Sequence, residues 1–197
     1  GILDIKKQLF VSFTEKLEHE LVNELQSQGF LDLKEIQQKL SASATTTTRI
    51  MIELIRKNKF RGTFTHQKDR YYLEQGLTNL ILQELEAHGM VKHHDLSRKF
   101  SVPEGNIKNY IMNMMRNKII NAYFADKGSS TITKLELENE IENYCMKKGL
   151  FLITALANHL NIAPELARRT LFKLIQKGSI RGIFTQNHEF ITEEKMT

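Results

Sequence analysis

Two hydrophobic periods alternate along this chain, one of helix and one of strand, and the alternation itself recurs. From Ala163 to Thr192 the chain reads APELARRTLFKLIQKGSIRGIFTQNHEFIT. Leu166, Ala167, Leu171, Leu174 and Ile175 follow Pro164 at helical spacing. Proline suits the first helical position, where an N–H would go unpaired anyway. Gly178 stops that helix. Ile180, Ile183 and Phe184 then predict a strand, Gln186-Asn187-His188 a turn, and Phe190-Ile191 a second strand.

The same pattern stands twice more upstream, in register. Gly29, Gly89 and Gly149 fall sixty residues apart, each ending a first helix. Ile36, Leu96 and Leu156 keep that offset, as do Leu40, Phe100 and Leu160, and Ile55, Met115 and Ile175. The first helices carry Leu17, Leu21 and Leu25, then Leu77, Ile81 and Leu85, then Leu137, Ile141 and Cys145. Short extended pieces follow at 30–33, 90–93 and 150–153, and second helices at 34–40, 94–100 and 154–160. Third helices are predicted at 46–58, 104–117 and 164–177, and hairpins end at Tyr72-Leu73, Ile132-Thr133 and Phe190-Ile191. Helix, strand, helix, helix, strand, strand is the order of a winged helix. The expected fold is mostly α with small β-hairpins (α+β), as three tandem winged-helix domains at 15–74, 76–133 and 134–192. Units of about sixty residues bury little core alone and should pack on one another.

Residues 1–14 stand outside the repeat. Ile2, Ile5, Leu9 and Phe13 predict an amphipathic N-terminal helix whose apolar face needs a neighbour. Apolar (41%) and charged (26%) contents are ordinary for a globular chain. Apolar runs all stay well below the ~18 residues of a membrane span, and GILDIKKQLF is too short and polar for a secretory leader. Direct membrane insertion is therefore not expected. The single cysteine, Cys145, excludes an internal disulfide framework and suits a cytoplasmic location, with membrane association only through a partner.

A net charge of +5 points toward nucleic acid, yet the excess is thin and spread out. Residues 15–74 hold 10 basic and 9 acidic side chains, 76–133 hold 7 and 5, and 134–197 hold 9 and 8. A dedicated nucleic-acid binder concentrates its cations on one face. The third helices sharpen the choice, because in a DNA reader their outward residues meet base edges. Those positions hold Arg49, Glu53 and Arg56 in the first unit, and Asn109, Asn113 and Arg116 in the second. The third holds Arg169, Lys173 and Gln176, beside Arg168. Amides can read adenine and the third unit can meet phosphate, whereas Glu53 would face the most negative part of the groove. Arg168, Arg169, Lys173 and Arg181 are the candidate nucleic-acid contacts.

Ile52, Met112 and Phe172 recur off the centre of each core stripe. They either widen the buried face or form a surface for a protein partner. Together with Ile2, Ile5, Leu9 and Phe13 they are the candidate partner-binding residues. Arg61-Gly62 and Arg181-Gly182 open two of the hairpins where the middle one has Asn121-Ala122, so a uniform ligand contact along the repeats is not expected.

Catalytic chemistry finds little footing. The sequence lacks a glycine-rich phosphate loop and a cysteine–histidine metal spacing. His93 and His94 are adjacent on an expected strand and so point to opposite faces. Cys145 occupies the place of Leu25 and Leu85, a core position rather than a nucleophile's. Lys147 and Lys148 lie on other helix faces, and no pair of carboxylates is expected to share a pocket. Cofactor, metal and catalytic residue are all read as none.

The stretch ARRTLFKLIQKGSIRGIFTQNHEFIT resembles the winged-helix unit of PCI-type scaffolds. YYLEQGLTNLILQELEAHGMVKHHDLSRKFSVPEGNIKNYI resembles the N-terminal winged-helix array of the ufmylation ligase, the ligase for the ubiquitin-fold modifier. RGTFTHQKDRYYL is similar to the hairpin of that ligase's membrane-anchored DDRGK-domain partner. The resemblance implies a scaffold-type ligase without its own catalytic cysteine, which binds an adaptor chain and positions the charged conjugating enzyme. It also implies that residues 2–13 complete a winged helix with a partner chain. The rival readings are a DNA-binding winged-helix transcription regulator and a different winged-helix assembly protein such as an endosomal-sorting subunit.

Overall fold

The structure, a computed structural model, describes residues 2–185 and 189–196, with the side chains of all of these except 2–14 and 40. The first repeat runs α1 (Ile2–Gln28), β1 (Phe30–Asp32), α2 (Leu33–Leu40), α3 (Ala44–Arg56), β2 (Gly62–Phe64) and β3 (Arg70–Leu73). The second is α4 (Glu74–His88), β4 (Met90–Lys92), α5 (His93–Phe100), α6 (Glu104–Arg116), β5 (Ala122–Ala125) and β6 (Ser130–Thr133). The third is α7 (Lys134–Lys148), β7 (Leu150–Leu152), α8 (Ile153–His159), α9 (Pro164–Lys177), β8 (Gly182–Phe184) and β9 (Glu189–Thr192). Each repeat closes one three-stranded antiparallel sheet, ordered β1-β3-β2, β4-β6-β5 and β7-β9-β8. The fold is thus mostly helical α+β, with the winged-helix order three times over.

Local chemistry sets the boundaries. The Asp32 side chain accepts from the N–H groups of Lys34 and Glu35 at 3.0 and 3.4 Å, which starts α2 at Leu33. The Ser43 hydroxyl accepts from Thr46 N–H at 3.1 Å, so α3 begins at Ala44, two residues before the expected start. The turn from second to third helix passes through Ser41 (φ 50°), Ser101 (φ 54°) and Asn161 (φ 52°), again sixty residues apart. The third helices likewise end on left-handed residues, Asn58, Lys118 and Gly178. Only the last of these is a glycine. Asparagine tolerates the conformation, and Lys118 adopts it in the same tertiary setting.

Several expectations need correction. Residues 1–14 do not form a separate element: α1 runs unbroken from Ile2 to Gln28. Ile180 is buried just ahead of β8 rather than inside it. His93 and His94 open α5 instead of sitting on a strand, and they part company there: His93 is fully buried and His94 exposed. His93 Nε2 lies 2.8 Å from the Thr131 hydroxyl and the ring meets Phe124 edge-on. The expected turn Gln186-Asn187-His188 lies outside the described residues.

By contacts the chain divides into two compact units, and the division runs through the second repeat. One unit is Gly1–Gln83 with Leu96–Asn113; the other is Glu84–Asp95 with Met114–Thr197. The first is built on Leu17, Leu21, Leu25, Leu31, Ile36, Ile50, Met51, Leu54 and Tyr71. The second is built on Leu137, Ile141, Phe151, Leu156, Leu171, Leu174 and Phe190. Cys145 is part of that second core, 2% exposed.

Candidate partner-binding surface

Within the first unit the opening repeat presents the outer face of its sheet to the helix-turn-helix corner made by α5 and α6. Strand alternation puts Thr63, Tyr72 and Phe30 on that face, in one register across β2, β3 and β1. Phe100 meets the Tyr72 ring edge-on at 6.4 Å, and the Asn106 amide donates to the Thr63 hydroxyl at 2.9 Å. At the tip of the wing, His66 N–H donates to the Ser101 carbonyl at 2.8 Å. Thr63 and Tyr72 are buried as a result, at 9% and 4% exposure.

The second unit repeats the arrangement sixty residues on. The outer face of its β4-β6-β5 sheet carries Tyr123, Ala125 and Ile132. Ala125 and Ile132 join the same buried cluster as Leu156, Ala157 and Ile162, and Tyr123 packs against it. At the wing tip, Asp126 N–H donates to the Asn161 carbonyl at 2.8 Å. An open groove of about 590 Å³ remains beside this seat, between Phe124, Asp126 and Lys127 on the wing and Asn158, Asn161 and Ala163 on the corner.

This seating decides what the third helices can reach. Asn106, Asn109, Tyr110 and Asn113 of α6 share a polar groove of about 310 Å³ with Arg61, Thr63 and Glu74. The amides expected to read adenine therefore stand next to the first wing. The outward residues of all three third helices are exposed as expected: Arg49, Glu53 and Arg56 on α3, Asn109, Asn113 and Arg116 on α6, and Arg168, Arg169 and Lys173 on α9.

The expected partner residues separate. Ile52 is 37% and Phe172 51% exposed, so at these positions the apolar stripe is not widened into the core; Met112 is half-buried. Ile52 sits on α3 amid Thr45, Thr48, Arg49 and Glu53. Phe172 lies one helical turn from Arg168 and Arg169 and beside Lys173. Among the described residues these three cations make no ion pair. Arg181 is not brought to them as a group: it lies 3.8 Å from Glu193, both largely exposed. Ile2, Ile5, Leu9 and Phe13 fall on the first half of α1, and their side chains lie outside the described ones.

Two further readings meet the structure. Glu142, Glu193 and Glu194 do line one concavity of about 380 Å³, together with Arg181, where no shared carboxylate pocket was expected. Burial, with a smaller contribution from Glu142, pushes the Cys145 thiol up to about 12, far from a thiolate at neutral pH. No helix among the described residues is long and apolar enough to cross a membrane. The residues that seat the wings (His66, Ser101, Asn106, Asp126 and Asn161) were missed by sequence reasoning. The sixty-residue offset of the His66–Ser101 and Asp126–Asn161 pairs was present in the sequence, but backbone hydrogen bonds leave no residue-type signature.

No family model matches this chain, and no curated protein does. Among solved structures it is similar to the mRNA-binding domain of elongation factor SelB from E. coli in complex with SECIS RNA. That likeness has 16% identity and a TM-score of 0.31, over 59% of this chain and 96% of that one. It is also similar to the bacterial selenocysteine-specific elongation factor EF-Sec, at 14% identity and a TM-score of 0.33 over 92% of this chain and 30% of that chain. The endosomal complex ESCRT-II is similar at 12% identity and a TM-score of 0.26, over 99% of this chain and 94% of that one.

Proposed function

We propose that this chain is a non-catalytic scaffold of tandem winged helices that binds other proteins. One observation carries the reading: the wings of the first and second repeats are spent on the chain itself, each tied by a backbone hydrogen bond to the next helix-turn-helix corner. A helix that reads duplex DNA needs its outward face clear to enter the major groove, and the outward amides of α6, though exposed, stand directly beside the first wing. The dispersed charge agrees, since nucleic-acid affinity comes mainly from clustered phosphate contacts.

The α9 face supplies the proposed contact surface. An exposed aromatic ring, Phe172, is set among Arg168, Arg169 and Lys173, and it suits an acidic protein surface with an apolar centre. In the finer form of the proposal the chain is a ufmylation-ligase-like subunit whose partners are an adaptor chain and a ubiquitin-like conjugating enzyme. It would hold the charged enzyme rather than supply a nucleophile, which the buried, protonated Cys145 supports.

The test is a direct binding measurement with the conjugating enzyme of the ubiquitin-fold modifier, charged and uncharged. Salt-sensitive binding that weakens about ten-fold or more in R168E/R169E supports the proposal. The exposed arginines favour one rival, a DNA-binding regulator. Binding to duplex DNA with a salt slope of several counterions, and none to the enzyme, would replace the scaffold reading with that one.

A further inference from the structure

We propose that the polar groove between β2 and α6 is a binding site for an extended peptide segment of a partner protein. The inference takes the source of that segment from the scaffold reading and uses a surface separate from α9.

One wall of the groove is an open strand edge. β2 lies at the edge of its sheet, which is ordered β1-β3-β2. Arg61 and Thr65 face β3: the Arg61 carbonyl accepts from Glu74 N–H at 2.9 Å, and Thr65 N–H donates to the Arg70 carbonyl at 3.0 Å. Alternation therefore turns the N–H and C=O of Gly62 the other way, to the free edge. Among the described residues neither group has a partner. Such an edge is a template for an added strand, and Gly62 lines the groove.

The α6 wall is made of amides. Asn109 and Asn113 are exposed, and their side chains make no hydrogen bond among the described residues. Asparagine is a poor helix former, and the winged-helix seat does not require it. Sixty residues on, the places of Asn106, Asn109 and Asn113 hold Leu166, Arg169 and Lys173. A primary amide sets a donor beside an acceptor, as a peptide group does. Four residues of helix rise about 6 Å (4 × 1.5 Å), and groups on one edge of an extended chain repeat every ~6.6 Å (2 × 3.3 Å). Asn109 and Asn113 are thus spaced to meet successive peptide groups on one edge of a ligand whose other edge pairs with Gly62.

Size and charge agree with a short segment. The groove holds about 310 Å³, at the small end of ligand pockets, which start near roughly 300 Å³. Arg61 and Glu74 both line it and make no ion pair among the described residues, leaving one cation and one anion for the peptide's side chains. One cation is too few for a nucleic-acid backbone, whose affinity comes from several phosphate contacts.

Panning a phage-displayed library of random linear peptides on the full chain tests this. The expected result is an enriched peptide whose binding weakens about ten-fold in N109A/N113A while thermal melting is not lowered. The Gly62 amide should exchange its hydrogen more slowly when that peptide is bound, and R168E/R169E should bind it as the parent does. No enrichment, a peptide that binds N109A/N113A undiminished, or unchanged exchange at Gly62 would each overturn the inference. So would a fluorescent single-stranded oligonucleotide that needs Asn109 and Asn113 where no peptide does. Loss of the peptide in R168E/R169E would place it on α9 instead. Failure of the groove in these assays, with the conjugating enzyme still bound through Arg168 and Arg169, leaves the scaffold standing and removes only this site.

Discussion

The backbone N–H of His66 donates to the carbonyl of Ser101 at 2.8 Å, joining the tip of one wing to the corner of the next repeat. Ser101 has φ 54° and closes α5, so its carbonyl is one of those a helix end leaves without an internal partner. Asn161 stands in the same conformation sixty residues later and accepts from Asp126 at the same distance. A helix end that would otherwise need water is satisfied by a neighbouring hairpin. The wing is thereby held, which removes it from the pool of surfaces open to ligands.

The first seat has a side-chain component that can be isolated. Asn106→Ala should cost about 1 kcal/mol, the usual net value of a neutral hydrogen bond, and Thr63→Val a similar amount. The two changes remove one shared interaction, so the double variant should be little worse than either single one. Urea unfolding of all four proteins gives the coupling; strict additivity would show that the wing is not held this way.

Two glycines in helices should respond in opposite directions. A Cβ on Gly76, in the first turn of α4, would come within 2.2 Å of the Gly29 carbonyl oxygen and 2.9 Å of its Cα, both backbone atoms that cannot swing aside. Gly76→Ala should therefore destabilise by roughly 1–3 kcal/mol. Gly105, in α6, faces open space, and Gly105→Ala should stabilise by roughly 0.5–1 kcal/mol through helix propensity. Melting temperatures of the two variants against the parent decide both.

Tyr71 keeps its ring in the first core, and its hydroxyl is buried without a hydrogen-bond partner among the described residues. Tyr71→Phe should leave stability unchanged or raise it by up to about 1–3 kcal/mol. Burial first, then Tyr110 and Glu74, push the Tyr71 hydroxyl up from 10.0 to about 12. A raised folded value means that the neutral phenol is favoured in the folded state. Its stability contribution is complete below the unfolded pKa and is lost as pH rises from about 10 to 12. Alkaline unfolding should be shallower in the phenylalanine variant.

Glu138 of α7 ties down the end of α9. Lys177 Nζ lies 2.9 Å from one carboxylate oxygen and Lys134 Nζ 3.6 Å from the other. The hydrogen bond from Lys177, with the charges of both lysines, holds its pKa below the usual carboxylate value. A lowered folded value places the stabilisation above the unfolded pKa and removes it as pH falls through the folded one. Glu138→Gln should cost about 1 kcal/mol at neutral pH, since both lysines are partly exposed. The gap between parent and variant should close in acid; a gap that persists at about pH 2 would count against the assignment.

Much of this molecule was written in its periodicity. The helices follow Leu17-Leu21-Leu25 and their two echoes because a 3.6-residue repeat of apolar side chains has one buriable face. Cys145 was legible as core from its place in that series. Boundaries were less so, because the caps Asp32 and Ser43 act through backbone N–H groups and not through pattern. The candidate surface was legible only in part. Arg168, Arg169 and Lys173 were placed outward by helical phase alone. Ile52 and Phe172 were not resolved, since an apolar residue at a stripe's edge is buried or bare according to what packs there.

The sequence by itself determined the winged-helix order of elements, three times over, because hydrophobic burial acts through local spacing that any one repeat displays. Tertiary structure alone decided which faces are closed. Whether Tyr72 or Ile132 meets protein or water depends on residues thirty or so positions downstream arriving at the same place. That arrival is made by backbone hydrogen bonds such as His66 to Ser101, which are blind to side-chain identity.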